Sequence, residues 1–148
     1  MLTRIKTPCI GVCSTGLGDS VCRGCKRFAH EVIGWNGYSG EERQLIMRRI
    51  ETLLSQVVEN HIRVVDGAKL QQQLKEQRVR VYPGLNIHCQ AFEAIRTFGS
   101  QLRDLQWIGC EALPDYRDLP VSEIKKCMDE AFFQLSCAHY ERYFPVLT

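Results

Sequence analysis

Cys9, Cys13, Cys22 and Cys25 fall within the seventeen-residue stretch CIGVCSTGLGDSVCRGC. They form two close pairs, C-x3-C and C-x2-C, separated by a loop that contains Gly16, Gly18, Asp19 and Ser20. Thiolates are ligands for zinc, for iron and for iron–sulfur clusters. A pair on each of two tight turns, with a loop that folds one turn back on the other, brings four sulfurs to one centre. Unliganded cysteines are common in protein cores, but four in so short a glycine-rich stretch are not. The four are therefore the candidate ligands of a single metal centre. Pair–loop–pair is the ordinary arrangement of a tetrahedral single-metal site, whereas cubane clusters more often show three cysteines in quick succession. Spacing alone thus favours zinc, or iron in a zinc-like site.

The flanking residues fit that chemistry. Pro8 holds Thr7 extended at the entry to the first turn. Ile10 and Val12 are expected to face a miniature core, and Gly24 frees the second turn to curl so that amides point at sulfur. So small a module buries little surface. Metal binding would then supply most of its folding energy, about 10–16 kcal/mol in zinc-finger peptides. The spacing of Phe28, Val32 and Trp35, with Ala29 and Ile33 beside them, predicts a short helix over 26–35 packed on the site. Ser39 and Glu42 form a capping box that opens a second helix, expected over about 39–61. Its apolar stripe is Ile46, Ile50, Leu53, Leu54 and Val57.

The segments TPCIGVC and VCRGCKRFAHEVIGWNGYSGEER carry a family resemblance. They resemble the small bacterial domain of unknown function numbered 1289, often labelled a predicted Fe–S protein. The family pattern is two cysteine pairs, an acidic residue and a Trp on a short helix, then Ser-x-x-Glu-Arg. Cys9, Cys13, Cys22, Cys25, Glu31, Trp35, Ser39, Glu42 and Arg43 match it, and the resemblance covers about residues 7–55. It implies a metal site, with a label that points to a cluster, so zinc and Fe–S both stand as the expected centre. It supplies no reaction.

Beyond His61 the chain reads as a short link and a helix capped by Asp66. RVRVYPG follows as a short strand or extended linker. Asn86 caps a helix expected to reach about Leu102, with Ile87, Ala91, Ala94, Ile95 and Phe98 inward. GCEALPDYRDLP reads as a loop broken by Pro114 and Pro120. A long helix is expected from Val121 to about Tyr143. Its apolar face is Ile124, Cys127, Met128, Ala131, Leu135 and Ala138, widened by Phe132 and Phe133.

The remaining chemistry-bearing residues have plainer readings. His30 and Glu31 open like a zinc-protease helix, but Gly34 stands where H-E-x-x-H needs its second histidine. His30 is then a surface or packing residue, with replacement of a ligand or a place beside the ligands as the alternative. Cys89, Cys110, Cys127 and Cys137, with His88 or His139, have irregular spacing. Ten residues at about 100° each put Cys127 and Cys137 on different helix faces, so these four read as core thiols. Arg4, Lys6, Arg23, Lys26 and Arg27 outnumber Asp19 before Glu31 and would suit phosphates, with Trp35 and Tyr38 to stack bases. Their plainer reading is a solvated face. Arg78 and Arg80 read as polar positions of an extended segment. Gly-rich phosphate loops, a Ser-His-Asp order and a paired-carboxylate cleft are all missing.

The chain has 148 residues, 45% of them hydrophobic, and a net charge of +2. That suits a globular body with a real core and not a polycation that coats nucleic acid. The N-terminal stretch MLTRIKTPC has no apolar signal region. No run reaches the roughly 18 apolar residues of a membrane helix. A cytoplasmic location with reduced thiols is expected, and no membrane partner.

The expected fold is mainly α: a cysteine-rich metal knuckle at 1–38 packed on an all-α helical domain at 39–148, continuous with it through the helix at about 39–61. The expected function is a non-enzymatic, cytosolic metal-binding protein whose four-cysteine centre organises a surface for a protein partner. The alternatives are an Fe–S redox, electron-transfer or sensor protein, and a nucleic-acid-binding zinc-knuckle protein.

Overall fold

The structure is a computed structural model that describes residues 7–10 and 13–144. The expected places of Arg4, Lys6 and Val12 lie outside the described residues. The fold is mainly helical, with five α-helices and a small two-stranded sheet among the described residues. The helices are α1 Ala29–Gly34, α2 Gly40–Glu59, α3 Gly67–Glu76, α4 Ile87–Phe98 and α5 Val121–Tyr143. The chain divides into two compact units. One takes in the described residues up to Leu53 together with those from Phe132 to Phe144, and the other is Leu54–Ala131.

In the first unit α1 starts later than the helical spacing suggested. The Cys22 amide donates to the Arg27 carbonyl (2.8 Å), the Lys26 amide to the Cys22 carbonyl (2.8 Å), and Val21 and Phe28 form an isolated β-bridge. The backbone of 26–28 is thus committed to a tight hairpin, and helical bonding begins only at Ala29. Glu31 Oε1 accepts the Phe28 amide (2.8 Å) and caps that start. The helix presents Glu31 inward and leaves Ile33 82% exposed, opposite to the apolar assignment of Ile33. After it a 3-10 turn, Trp35–Gly37, buries the Trp35 ring. Ile10 is exposed too, so it faces no miniature core.

The Ser39 capping box forms as its sequence predicts. Ser39 Oγ accepts the Glu42 amide and Glu42 Oε1 accepts the Ser39 amide, both at 3.1 Å. Along α2, Ile46, Leu53, Leu54 and Val57 are buried, as the stripe predicts, while its Ile50 is half-buried and Val58 joins the buried set. The part of α5 in this unit buries Phe132 and Ser136 and exposes Ala138. A serine replaces the expected alanine on the inward face because its hydroxyl donates to the Phe132 carbonyl one turn back (2.8 Å) and needs no water.

The second unit holds the sheet. Strand β1, Ile62–Val64, pairs antiparallel with β2, Cys110–Ala112, with Ile62 opposite Ala112 and Val64 opposite Cys110. Arg63 and Glu111 face each other across the pair and form an ion pair. The expected loop at 110–112 is therefore a strand, and RVRVYPG is not one. Asp66 and Asn86 cap α3 and α4 as predicted, Asp66 Oδ1 accepting the Lys69 amide (3.1 Å) and Asn86 Oδ1 the His88 amide (2.8 Å). The core includes Val58, Ile62, Leu70, Ile95, Ile108 and Met128. Helix α4 stops at Phe98, short of Leu102, where Gly99 turns to φ 52°.

Candidate metal centre

The hairpin Val21–Phe28 positions the second cysteine pair. Cys22 and Cys25 lie at its tip and both are buried. The turn needs a left-handed residue after Cys25, and Lys26 takes it at φ 66°. A non-glycine residue there costs about 1–2 kcal/mol. The Lys26 side chain offsets part of this. It is 2% exposed, its ammonium donates to the Arg23 carbonyl and to the Gly24 carbonyl (3.2 Å), and it lies over the Phe132 ring (5.1 Å). Lysine thus does the work usually left to glycine by satisfying the carbonyls that the turn leaves bare.

The electrostatics of the two sulfurs differ. Burial alone would push the Cys22 thiol up. Hydrogen bonds from the backbone of Cys25, Ser14 and Gly24 and from the Cys25 side chain outweigh burial and lower it to about 7. Cys25 is raised, chiefly by burial, against the opposing pull of Arg27, whose Nε–H donates to Sγ (3.2 Å). Amides converging on a buried sulfur are how a protein spreads thiolate charge around a metal ligand.

Ser14 links the two turns. Besides its amide contact to Cys22, its hydroxyl accepts the Arg23 amide (2.9 Å) and its carbonyl the Asp19 amide (3.4 Å). The residue after Cys13 is therefore tied to the Cys22–Cys25 turn. Cys13 itself is exposed, its Sγ 3.1 Å from the Thr15 hydroxyl, and Cys9 is exposed with its amide on the Thr7 hydroxyl (3.3 Å). Among the described residues no three His, Cys, Asp or Glu side chains form a group able to hold a metal ion. The structure thus brings Cys22 and Cys25 together and does not assemble the first pair around them. The second pair supplies two buried, hydrogen-bonded sulfurs, the Cys22 thiol lowered to about 7 and the Cys25 thiol raised by burial.

Beside the hairpin is a network that the sequence did not reveal. Glu31, buried on α1, accepts a bidentate pair from Arg49 of α2, both bonds 2.6 Å. The Arg49 guanidinium lies 3.9 Å over the Phe28 ring. Arg27 and Arg43 lie over Trp35, at 4.8 and 5.4 Å, and Arg43 Nε–H donates to the Trp35 carbonyl. Glu31, Trp35 and Arg43 stood out as pattern residues, but Arg49 carried no sign of its role, because its partner lies eighteen positions away. An open groove of about 370 Å³ runs along this network, lined by His30, Glu31, Tyr38, Glu42, Leu45, Ile46 and Arg49.

His30 is exposed, its ring against Phe28 (5.9 Å) and Phe144 (5.1 Å), a packing position. Of the basic residues near the cysteines, Lys26 and Arg27 are buried, while Arg23 stays exposed, over the Phe133 ring and paired with Asp19. Cys89 and Cys110 are buried and Cys127 and Cys137 half-buried; burial pushes Cys110 up to about 12.

Residues 7–54 match the model of a family described as "Protein of unknown function (DUF1289)". The matched segment contains all four N-terminal cysteines, the α1 helix and the Glu31–Arg49 pair, and leaves the sheet, α3, α4 and α5 outside it. No curated protein and no solved structure matches the chain. No helix among the described residues is long and apolar enough to cross a membrane.

Proposed function

We propose that this chain is a non-enzymatic cytosolic metal-binding protein in which Cys9, Cys13, Cys22 and Cys25 hold one centre that organises a surface for a protein partner. The observation that carries the reading is the Cys22 thiol, buried, lowered to about 7 and surrounded by the amides of Ser14, Gly24 and Cys25. Burial alone holds a thiol neutral, as at Cys110. Cys22 is instead prepared to be a thiolate, and a bound cation would neutralise the charge that this burial penalises. Ser14, the residue after Cys13, is tied to the Cys22–Cys25 turn, and metal binding would draw the first pair onto the second. The exposed Ile33 and Leu45, the latter on the groove beside α1, support a protein partner over a catalytic cleft.

Anaerobic purification with metal and acid-labile sulfide analysis tests this reading. One zinc per chain and a colourless protein would make the centre structural. Iron with sulfide and visible bands that bleach on reduction would make it an Fe–S redox centre. A chain that retains no metal under these conditions contradicts the proposal.

A further inference from the structure

The C-terminal end of α3 holds an arginine where its backbone suits glycine. The Val79 amide donates to the Leu74 carbonyl (2.8 Å) and the Arg78 amide to the Lys75 carbonyl (3.2 Å), the two bonds of a Schellman cap. Arg78 occupies its left-handed position at φ 57°. Unlike Lys26, which is buried and satisfies the carbonyls of its own turn, Arg78 is exposed. Its guanidinium and that of Arg80 make no hydrogen bond or ion pair among the described residues. A strained backbone position given to an unengaged cation is a reason to look for a ligand outside the chain. Exposure then alternates along the segment: Arg78, Arg80 and Tyr82 face solvent, while Val79 and Val81 are half-buried. The two guanidinium groups are thus both on exposed positions of this segment, and the Tyr82 ring, 47% exposed, is the next exposed position. Lys75, exposed in the last turn of α3, adds a third cation, and the neighbouring carboxylate of Glu76 is engaged by Gln72 (3.0 Å).

We propose that Lys75, Arg78, Arg80 and Tyr82 form a contact strip for single-stranded nucleic acid. The arginines take successive phosphates and Tyr82 stacks on a base. Cations in a row alone would suit any polyanion. The aromatic ring in the same row selects a ligand with bases, because stacking on it tolerates every base. This strip is separate from the cysteine pairs and does not depend on the metal reading.

The test measures binding of the full chain to a labelled single-stranded oligouridylate across a salt series. The strip predicts salt-sensitive binding. Changing Arg78→Gly and Arg80→Ala together should flatten the logarithmic salt slope by about 1.4, since each cation on a single strand contributes about 0.7. Tyr82→Leu should weaken binding at least about fivefold and Tyr82→Phe should preserve it, as expected for stacking. Arg78→Gly alone should raise Tm by about 2–4 °C while weakening binding. Metal content should stay unchanged in every variant, which keeps this result distinct from the cysteine centre. No salt-sensitive binding, an unchanged slope in the double variant, or a Tm that falls on Arg78→Gly would each overturn the proposal. Equal binding of a polyglutamate peptide, dependent on the arginines and indifferent to Tyr82, would overturn it in favour of an acidic protein partner.

Discussion

At the residue scale the decisive contrast lies between charges that have partners and thiols that do not share one environment. Glu31 is buried because Arg49 meets both of its oxygens and the Phe28 amide takes a further bond. Breaking a buried pair costs about 3–5 kcal/mol, and removing Glu31 leaves the half-buried Arg49 guanidinium without this partner. Glu31→Gln is expected to lose about 3 kcal/mol in denaturant unfolding, and a loss below about 1 kcal/mol would show that the pair is not closed in solution. Cys110 shows the other extreme. Burial raises it from an ordinary 9.0 to about 12, so the folded chain keeps a proton that the unfolded chain releases above pH 9. Stability therefore falls as pH rises from about 9 towards 12, by up to about 1.4 kcal/mol per pH unit from this group. Cys110→Ala should have a shallower decline over pH 9–11 than the parent chain. Parallel curves would mean that Cys110 is not held neutral.

At the element scale, what the sequence revealed depended on whether the signal was local. Ser39, Asp66 and Asn86 announce three helix starts because a cap and its amide are two or three residues apart. The α2 stripe was legible for the same reason. The β1–β2 pair was not. Each strand has three residues, too short for an alternating pattern, and the partners are separated by α3 and α4. RVRVYPG alternates more clearly than either strand, yet it forms no ladder, because the Schellman cap of α3 claims its first amides. The shortened α1 has a similar cause, since the hairpin bonds of Cys22, Lys26 and Arg27 were invisible in the helical spacing of Phe28 and Trp35. Gly109 joins the sheet to α3. It adopts φ 71°, its carbonyl accepts the Val65 and Asp66 amides (2.8 and 2.9 Å), and a methyl group there would collide with the Asp66 carbonyl oxygen. Backbone cannot yield as a flexible side chain can. Gly109→Ala should cost more than about 2 kcal/mol, whereas Gly84→Ala, left-handed but with open space around it, should cost no more than about 1–2 kcal/mol. Equal losses in thermal unfolding would contradict the close approach at Gly109.

At the scale of the whole molecule, the chain passes from one compact unit to the other within α2, between Leu53 and Leu54, and again within α5, between Ala131 and Phe132. The family match ends at Leu54, beside the first of these crossings. The matched segment carries the Cys22–Cys25 turn, and the unmatched unit carries the basic residues after α3. Four clustered cysteines were legible as a candidate centre from type and spacing alone. The unequal state of the two pairs was not legible, because it arises from the folding of 14–27 and from amides that belong to Ser14, Gly24 and Cys25.

On the proposed reading the four N-terminal cysteines, and not the other four, hold one metal centre. The direct measurement is metal per chain in anaerobically purified protein, compared between two variants. One replaces Cys9, Cys13, Cys22 and Cys25 with Ser, and the other replaces Cys89, Cys110, Cys127 and Cys137 with Ser or Ala. One centre per chain is expected in the parent and in the second variant, and none in the first. Full metal content in the first variant, or its loss only in the second, would contradict that reading.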